Sequence, residues 1–277
     1  MIPKLLSTVV ACMALSTSAL FSQASTPKSL PPAASGKPAG LQPLDLNTSE
    51  EELETRADSL RSAKQYSEAI EYYHSALIRT KSPILYNKLG ISELLAERFR
   101  SARSDFQRSL RLDARYAAAY NNLGVLEFTV RNYGKAVKQY ERAIRQDPHV
   151  ATYFCNLGAA YFSKRKWAES MQAYGEALAL DPDILARADN GGIAGHVASP
   201  EDRAHFSYVL AKLYAQRGLA EPALESLRRA MEDGYDQIRD VYSDPDFAKL
   251  RQDPRFRALM ASRPVSISER SGSEAMQ

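Results

Sequence analysis

From residue 50 onward, apolar residues recur three and four positions apart, in runs of helical length separated by short polar breaks. The clearest example is Ala119 to Pro148. Its first half carries Tyr120, Leu123 and Gly124, a break follows at Arg131-Asn132, and its second half carries Tyr133, Ala136, Tyr140 and Ala143. This spacing predicts two antiparallel helices. The small residues Gly124, Ala136 and Ala143 let them approach closely while the rings fill the space around them. Pro148 cannot continue the second helix and so marks the next turn.

The pattern returns at a fixed interval. With the Gly of each Leu-Gly pair numbered as position eight, Gly90, Gly124 and Gly158 fall 34 residues apart, preceded by Leu89, Leu123 and Leu157. Position twenty holds Ala102, Ala136 and Ser170, position twenty-four Phe106, Tyr140 and Tyr174, and position twenty-seven Ser109, Ala143 and Ala177. A weaker copy from Glu50 to Lys81 carries Ala57, Tyr66, Ala69, Tyr73 and Ala76 at a spacing of 33. Its first helix is polar, with Thr48 or Ser49 as N-cap, as expected of a terminal repeat that meets water.

After Pro182 the period breaks, and about nineteen residues are inserted at 183–200. It resumes at Glu201, where Ala211, Tyr214, Ala223, Leu227 and Ala230 mark a fifth hairpin. The repeats therefore span about 50–82, 83–116, 117–150, 151–182 and 201–234. Residues 235–262 place Phe247, Leu250, Phe256, Leu259 and Met260 behind two Asp-Pro helix starts, which predicts a helical cap over the last hairpin. Residues 263–277 are polar and predict a disordered tail.

Over about residues 49 to 262 this chain resembles the tetratricopeptide repeat family, and DPDFAKLRQDPRFRALM resembles the segment that closes many bacterial members. The resemblance implies an all-α fold, a right-handed α-solenoid of about five helical hairpins with a C-terminal helical cap. It also implies that the first helices line a concave groove that binds peptides or partner proteins without catalysis. In part of the family an asparagine ladder in that groove binds peptide main chain. Here position six holds Lys88, Asn122 and Asn156, position five Asn87, Asn121 and Cys155, and position twelve Leu94, Phe128 and Phe162. An Asn amide donates and accepts at once, which matches main-chain N–H and C=O whatever the sequence. Asn87, Lys88, Asn121, Asn122, Phe128, Asn156 and Phe162 are thus the expected groove residues. The other reading is that these Asn side chains satisfy loops or neighbouring helices.

The start of the chain changes where this scaffold is expected to work. Met1 to Ala24 has one Lys before an apolar run and small residues around Ser22-Gln23-Ala24, which predicts a signal peptide at 1–24. Val9-Val10-Ala11-Cys12 offers an alternative, a lipoprotein anchored through Cys12. Residues 25–48 are rich in Pro, Ala and Ser and predict a disordered linker. The protein is therefore expected to be exported, periplasmic or secreted, and to touch a membrane only if lipidated at Cys12.

Composition mainly excludes. A net charge of +3 in 277 residues gives no argument for nucleic acid. The basic run Arg100, Arg103, Arg108, Arg111 and Arg115 reads as a solvated outer face. Two cysteines offer no disulfide framework, and the four histidines lack ligand spacing. There is no HExxH, GxSxG or Walker motif, so no enzyme, cofactor or metal is expected. What remains is a non-enzymatic scaffold of the cell envelope with an unidentified protein or peptide partner in its groove. The alternative is a structural subunit of an envelope assembly that uses repeat edges or the convex face.

Overall fold

The computed structural model describes residues 48–185 and 199–262. The expected signal peptide with Cys12, the linker up to residue 47, most of the insertion and the tail from residue 263 lie outside these residues. The described residues form eleven α-helices and three short 3-10 turns, with no strand. In chain order the helices are Glu50–Ser62 (α1), Tyr66–Arg79 (α2), Pro83–Leu95 (α3), Phe99–Leu112 (α4), Ala117–Thr129 (α5) and Tyr133–Gln146 (α6). Then follow Ala151–Ser163 (α7), Trp167–Leu180 (α8), Pro200–Gln216 (α9), Ala220–Glu232 (α10) and Pro254–Ser262 (α11). The chain divides after Tyr153 into two compact units.

The first unit stacks three hairpins, α1 with α2, α3 with α4 and α5 with α6. Its first helix starts at Ser49, whose Oγ accepts from Glu52 N while Glu52 Oε2 accepts from Ser49 N, a complete capping box. Within a hairpin, the aromatic ring at position twenty-four lies directly on the glycine at position eight. A Cβ added at Gly90 would sit 2.7 Å from Phe106 Cε1, and one at Gly124 would sit 2.6 Å from Tyr140 Cε1. Both rings are almost wholly buried. The turn between the two helices is equally constrained. Lys64, Glu97 and Arg131 take φ of 63, 60 and 62°, and the next residue's N–H reaches back to close the helix. Those bonds are Gln65 N to Leu60 O at 2.9 Å, Arg98 N to Glu93 O at 2.8 Å and Asn132 N to Glu127 O at 2.7 Å. These non-glycine residues adopt a left-handed conformation that costs about 1–2 kcal/mol each, offset by the satisfied carbonyls.

Buried charge joins the second hairpin to the third. Glu127 on α5 pairs with Arg103 on α4 at 3.0 Å and accepts from Asn132 Nδ2 at 3.1 Å. Glu93 holds the same repeat position one unit earlier, but the first hairpin offers Ile70 where Arg103 would stand. Glu93 is instead buried beside Asp105, and its Oε2 has no hydrogen-bond partner among the described residues. Burial, then hydrogen bonding and repulsion from Asp105, push the Glu93 carboxyl up to about 8, against weaker opposing pulls from Arg98 and Arg108. Asp105 in turn pairs with Arg108 at 2.9 Å.

The second unit holds the rest of α7 with α8, then α9 with α10 and the C-terminal segment. Gly158 is covered by Tyr174 as in the earlier hairpins, with an added Cβ 2.8 Å from Tyr174 Cδ1. The fifth hairpin, however, does not continue the earlier stacking. Consecutive helices joined by a few residues must run antiparallel, as α4 and α5 do where Arg103 meets Glu127, yet α9 runs in the same direction as α8. The start of α9 meets the start of α8, with Arg165 paired to Asp202 at 3.2 Å and the Trp167 and His205 rings 4.2 Å apart. Farther along both helices, Gly175 meets Leu213 and Arg217. Helix α8 is about 21 Å long, and the link from Leu185 to Ser199 has enough residues to span that distance, at about 3.3 Å each. A long link is what frees the direction of the next helix. Beyond α10, turns at Ile238–Tyr242, Pro245–Phe247 and Leu250–Gln252 lead into α11. Val241, Phe247, Leu250, Phe256, Leu259 and Met260 are all buried. Lys212 on α9 ties this segment down through Asp244 at 2.7 Å and Asp246 at 3.0 Å.

Two outcomes are expected from the first unit. Gly124→Ala should lower stability, because the overpacking cost of about 1–3 kcal/mol exceeds the roughly 1 kcal/mol that Ala gains in helix propensity. Urea melts measure this, and a variant as stable as the parent would show that the ring is free to shift. The Glu93 carboxyl holds its proton in the folded chain and loses it near 4.5 in the unfolded one. The stability that it contributes is therefore full below about pH 4.5 and lost as pH rises toward 8. Glu93→Gln should remove that slope, so that the variant gains on the parent steadily between those limits. Parallel pH dependences would mean that Glu93 is ionised in the fold.

Candidate functional site

In the first unit the first helices of successive hairpins, α1, α3 and α5, meet along a polar seam. Position-six residues cross it backwards. Lys88 on α3 reaches α1, where its Nζ lies 2.5 Å from Glu54 and 2.6 Å from Asp58. Asn122 on α5 reaches α3, donating from Nδ2 to Asn87 Oδ1 at 2.9 Å. Asn121 donates to Asn122 Oδ1 at 3.2 Å and extends the chain of amides. A position-six side chain thus serves as a cross-link between neighbouring first helices, ionic in one repeat and neutral in the next.

The charged end of the seam is the better anchored. Asp58 also accepts from the Tyr73 hydroxyl at 2.5 Å and from Arg61 at 3.1 Å, and Arg61 Nε donates to the same hydroxyl at 3.2 Å. Burial alone would raise the Asp58 carboxyl, but hydrogen bonds from Lys88 and Tyr73 and the two cations hold it below the usual range. Burial likewise works against the Lys88 ammonium, and the two carboxylates overcome it and raise its pKa. Burial drives the Tyr73 phenol upward, so it stays a donor at neutral pH. Both ends of this cluster keep some contact with solvent, with Glu54 at 28% and Asp58 at 33% exposed.

The expected groove residues are placed unevenly. Asn87, Asn121 and Asn122 are buried, and Asn87 Nδ2 has no hydrogen-bond partner among the described residues, although Tyr116 lies beside that side chain. Phe128 is half-buried and tilted against Tyr133, ring centroids 5.2 Å apart. Asn156 and Phe162 belong to the second unit. Asn156 is half-buried there, and Phe162 is buried between Trp167 at 4.8 Å and Phe206 at 5.2 Å. Within the first unit the structure brings together Asn87, Lys88, Asn121 and Asn122.

What the seam presents outward is a different set. Thr55, at position six of α1, is exposed, and Ile84, one turn before Lys88 on the same side of α3, is 48% exposed. Reading positions five, six and nine of adjacent repeats together would have found Glu54 and Asp58, which stand 34 and 30 residues before Lys88. Among the described residues no group of three or more His, Cys, Asp or Glu could hold a metal ion.

Comparison with known families agrees with this architecture. A TPR-repeat model matches residues 132–165, and tetratricopeptide-repeat models match residues 87–129, 117–145 and 151–184. No curated protein matches the chain in sequence. Among solved structures, MamA is 20% identical with a TM-score of 0.46, over 64% of this chain and 93% of its own. TTC0263, a thermophilic TPR protein of Thermus thermophilus, is 19% identical with a TM-score of 0.48, over 70% and 97%. YrrB, described as a TPR protein with an unusual peptide-binding site, is 19% identical with a TM-score of 0.43, over 69% and 90%. With glycine-and-ring hairpins at a 34-residue period and four matching repeat models, residues 87–184 of this chain are tetratricopeptide repeats.

Proposed function

We propose that the protein is a non-catalytic scaffold of the cell envelope that holds an extended segment of a partner protein against the first-helix face of its N-terminal unit. The observation that carries this reading is the run of tetratricopeptide repeats over residues 87–184, a fold that exposes helix faces rather than enclosing a reaction site. The seam supports it further. Glu54, Asp58 and Lys88 are held rigid by one another yet remain partly exposed, so their free edges can receive polar groups without fresh ordering cost. Ile84 adds an apolar contact beside them. The buried amides of Asn87, Asn121 and Asn122 set the spacing of the helices beneath this surface rather than reading the partner themselves.

Location rests on the sequence of residues 1–24. Intact-mass analysis of protein recovered from the envelope or medium should give a mature chain beginning at Ser25. A chain beginning at an acylated Cys12 would replace soluble export by lipid anchoring.

The binding face is tested by placing a photo-crosslinking residue at Thr55 or Ile84, and at Arg111 on the outer side of α4 as control. Crosslinks to one partner are expected from the first two positions and not from the third. Ile84→Asp should weaken capture of that partner about tenfold, equivalent to about 1.4 kcal/mol, and leave the melt nearly unchanged. Crosslinks confined to Arg111 would move the interface to the outer face and overturn the proposal.

A further inference from the structure

We propose that the second unit carries a binding site for a cationic side chain, a lysine or arginine presented by a basic peptide segment, in the pocket where the start of α9 meets the turn between α7 and α8. This site lies apart from the first-helix face of the N-terminal unit and does not depend on it.

The pocket has a volume of about 310 Å³, with Trp167, His205 and Tyr235 as its aromatic walls and Glu201, Asp202 and Asp236 as its acids. It exists because α9 runs alongside α8 in the same direction, which brings Asp202 and His205 to Arg165 and Trp167. The aromatic members are fixed by their neighbours. The Trp167 and His205 rings lie 4.2 Å apart, His205 meets Tyr235 edge-on at 5.7 Å, and Tyr208 stacks on Tyr235 at 4.4 Å. Such walls attract a cation through the negative charge of the ring faces.

Charge favours the same ligand. Three carboxylates and one guanidinium, that of Arg165, line the pocket. Arg165 is engaged with Asp202 at 3.2 Å, while neither Glu201 nor Asp236 forms a salt bridge among the described residues. Both of those carboxylates are exposed at the rim. The start of α9 carries the partial positive charge of a helix N-terminus, about half a unit, which the carboxylates outweigh. Part of it is already satisfied, because Ser199 Oγ accepts from Asp202 N at 3.1 Å. His205 does not add a competing charge at neutral pH. Burial lowers its pKa, Arg165 lowers it further, and Asp202 and Asp236 act in the opposite direction.

Trp167 is the single tryptophan of the chain, so its fluorescence reports on this pocket alone. The mature full-length protein is titrated with tetra-arginine and tetra-lysine peptides, and with tetra-glutamate as control. A saturable fluorescence change is expected with the basic peptides and not with the acidic one. The double variant Glu201→Gln with Asp236→Asn, both at exposed positions, should bind about tenfold or more weakly with unchanged helicity. Arg165→Ala should bind more tightly, because it removes the cation already paired to Asp202. Binding should also weaken as pH falls and His205 takes up a proton. No saturable change, or equal affinity in parent and double variant, overturns the proposal. So does Arg165→Ala binding more weakly than the parent.

Discussion

The contact on which this molecule depends is that between an aromatic ring on the second helix of a hairpin and a glycine on the first. At Gly90, Gly124 and Gly158 the ring occupies the space that a Cβ would need, so the two backbones approach as closely as the ring's thickness allows. That approach fixes where the helices cross, and the left-handed turn residue fixes where each first helix ends. Once both are set, the exposed side of one hairpin becomes a template for the next. A single hairpin leaves this side open, and stacking is what buries it.

Polar chemistry follows from that geometry. Because corresponding positions recur at the helix spacing, a side chain at position six faces the preceding first helix. Lys88 finds two carboxylates there, and Asn122 finds an amide. The same regularity has a cost where a partner is missing. Glu127 is neutralised by Arg103, whereas Glu93, one repeat earlier, has Ile70 rather than an arginine on the preceding hairpin and shares its buried site with Asp105. The mismatch falls at the contact with the terminal hairpin, whose second helix departs from the pattern of the inner repeats.

The insertion at 183–200 breaks the regularity and creates something that the repeats alone do not. After it α9 runs alongside α8 in the same direction, which brings Asp202 and His205 to Arg165 and Trp167. A uniform array would place the end of α9 there and leave these side chains far apart. Lys212, Asp244 and Asp246 then bind the C-terminal turns to the reversed helix.

The helical hairpins, their 34-residue period and the polar first helix α1 were legible in the sequence, because each depends on local spacing. Glycine can be matched to a ring sixteen residues later without knowing any other contact. The break at Arg131-Asn132 was legible too, although the left-handed residue in it was not, since Lys64, Glu97 and Arg131 carry no glycine signal. The fate of the asparagines was decided only in three dimensions. Their position on the first helix follows from the period, but whether Asn122 meets a ligand or Asn87 depends on how near the neighbouring helix lies. The direction of α9 was likewise hidden, because amphipathic spacing gives a helix its buried side and not its polarity. Short links settle that polarity by geometry, and the long one after Leu185 leaves it to tertiary packing.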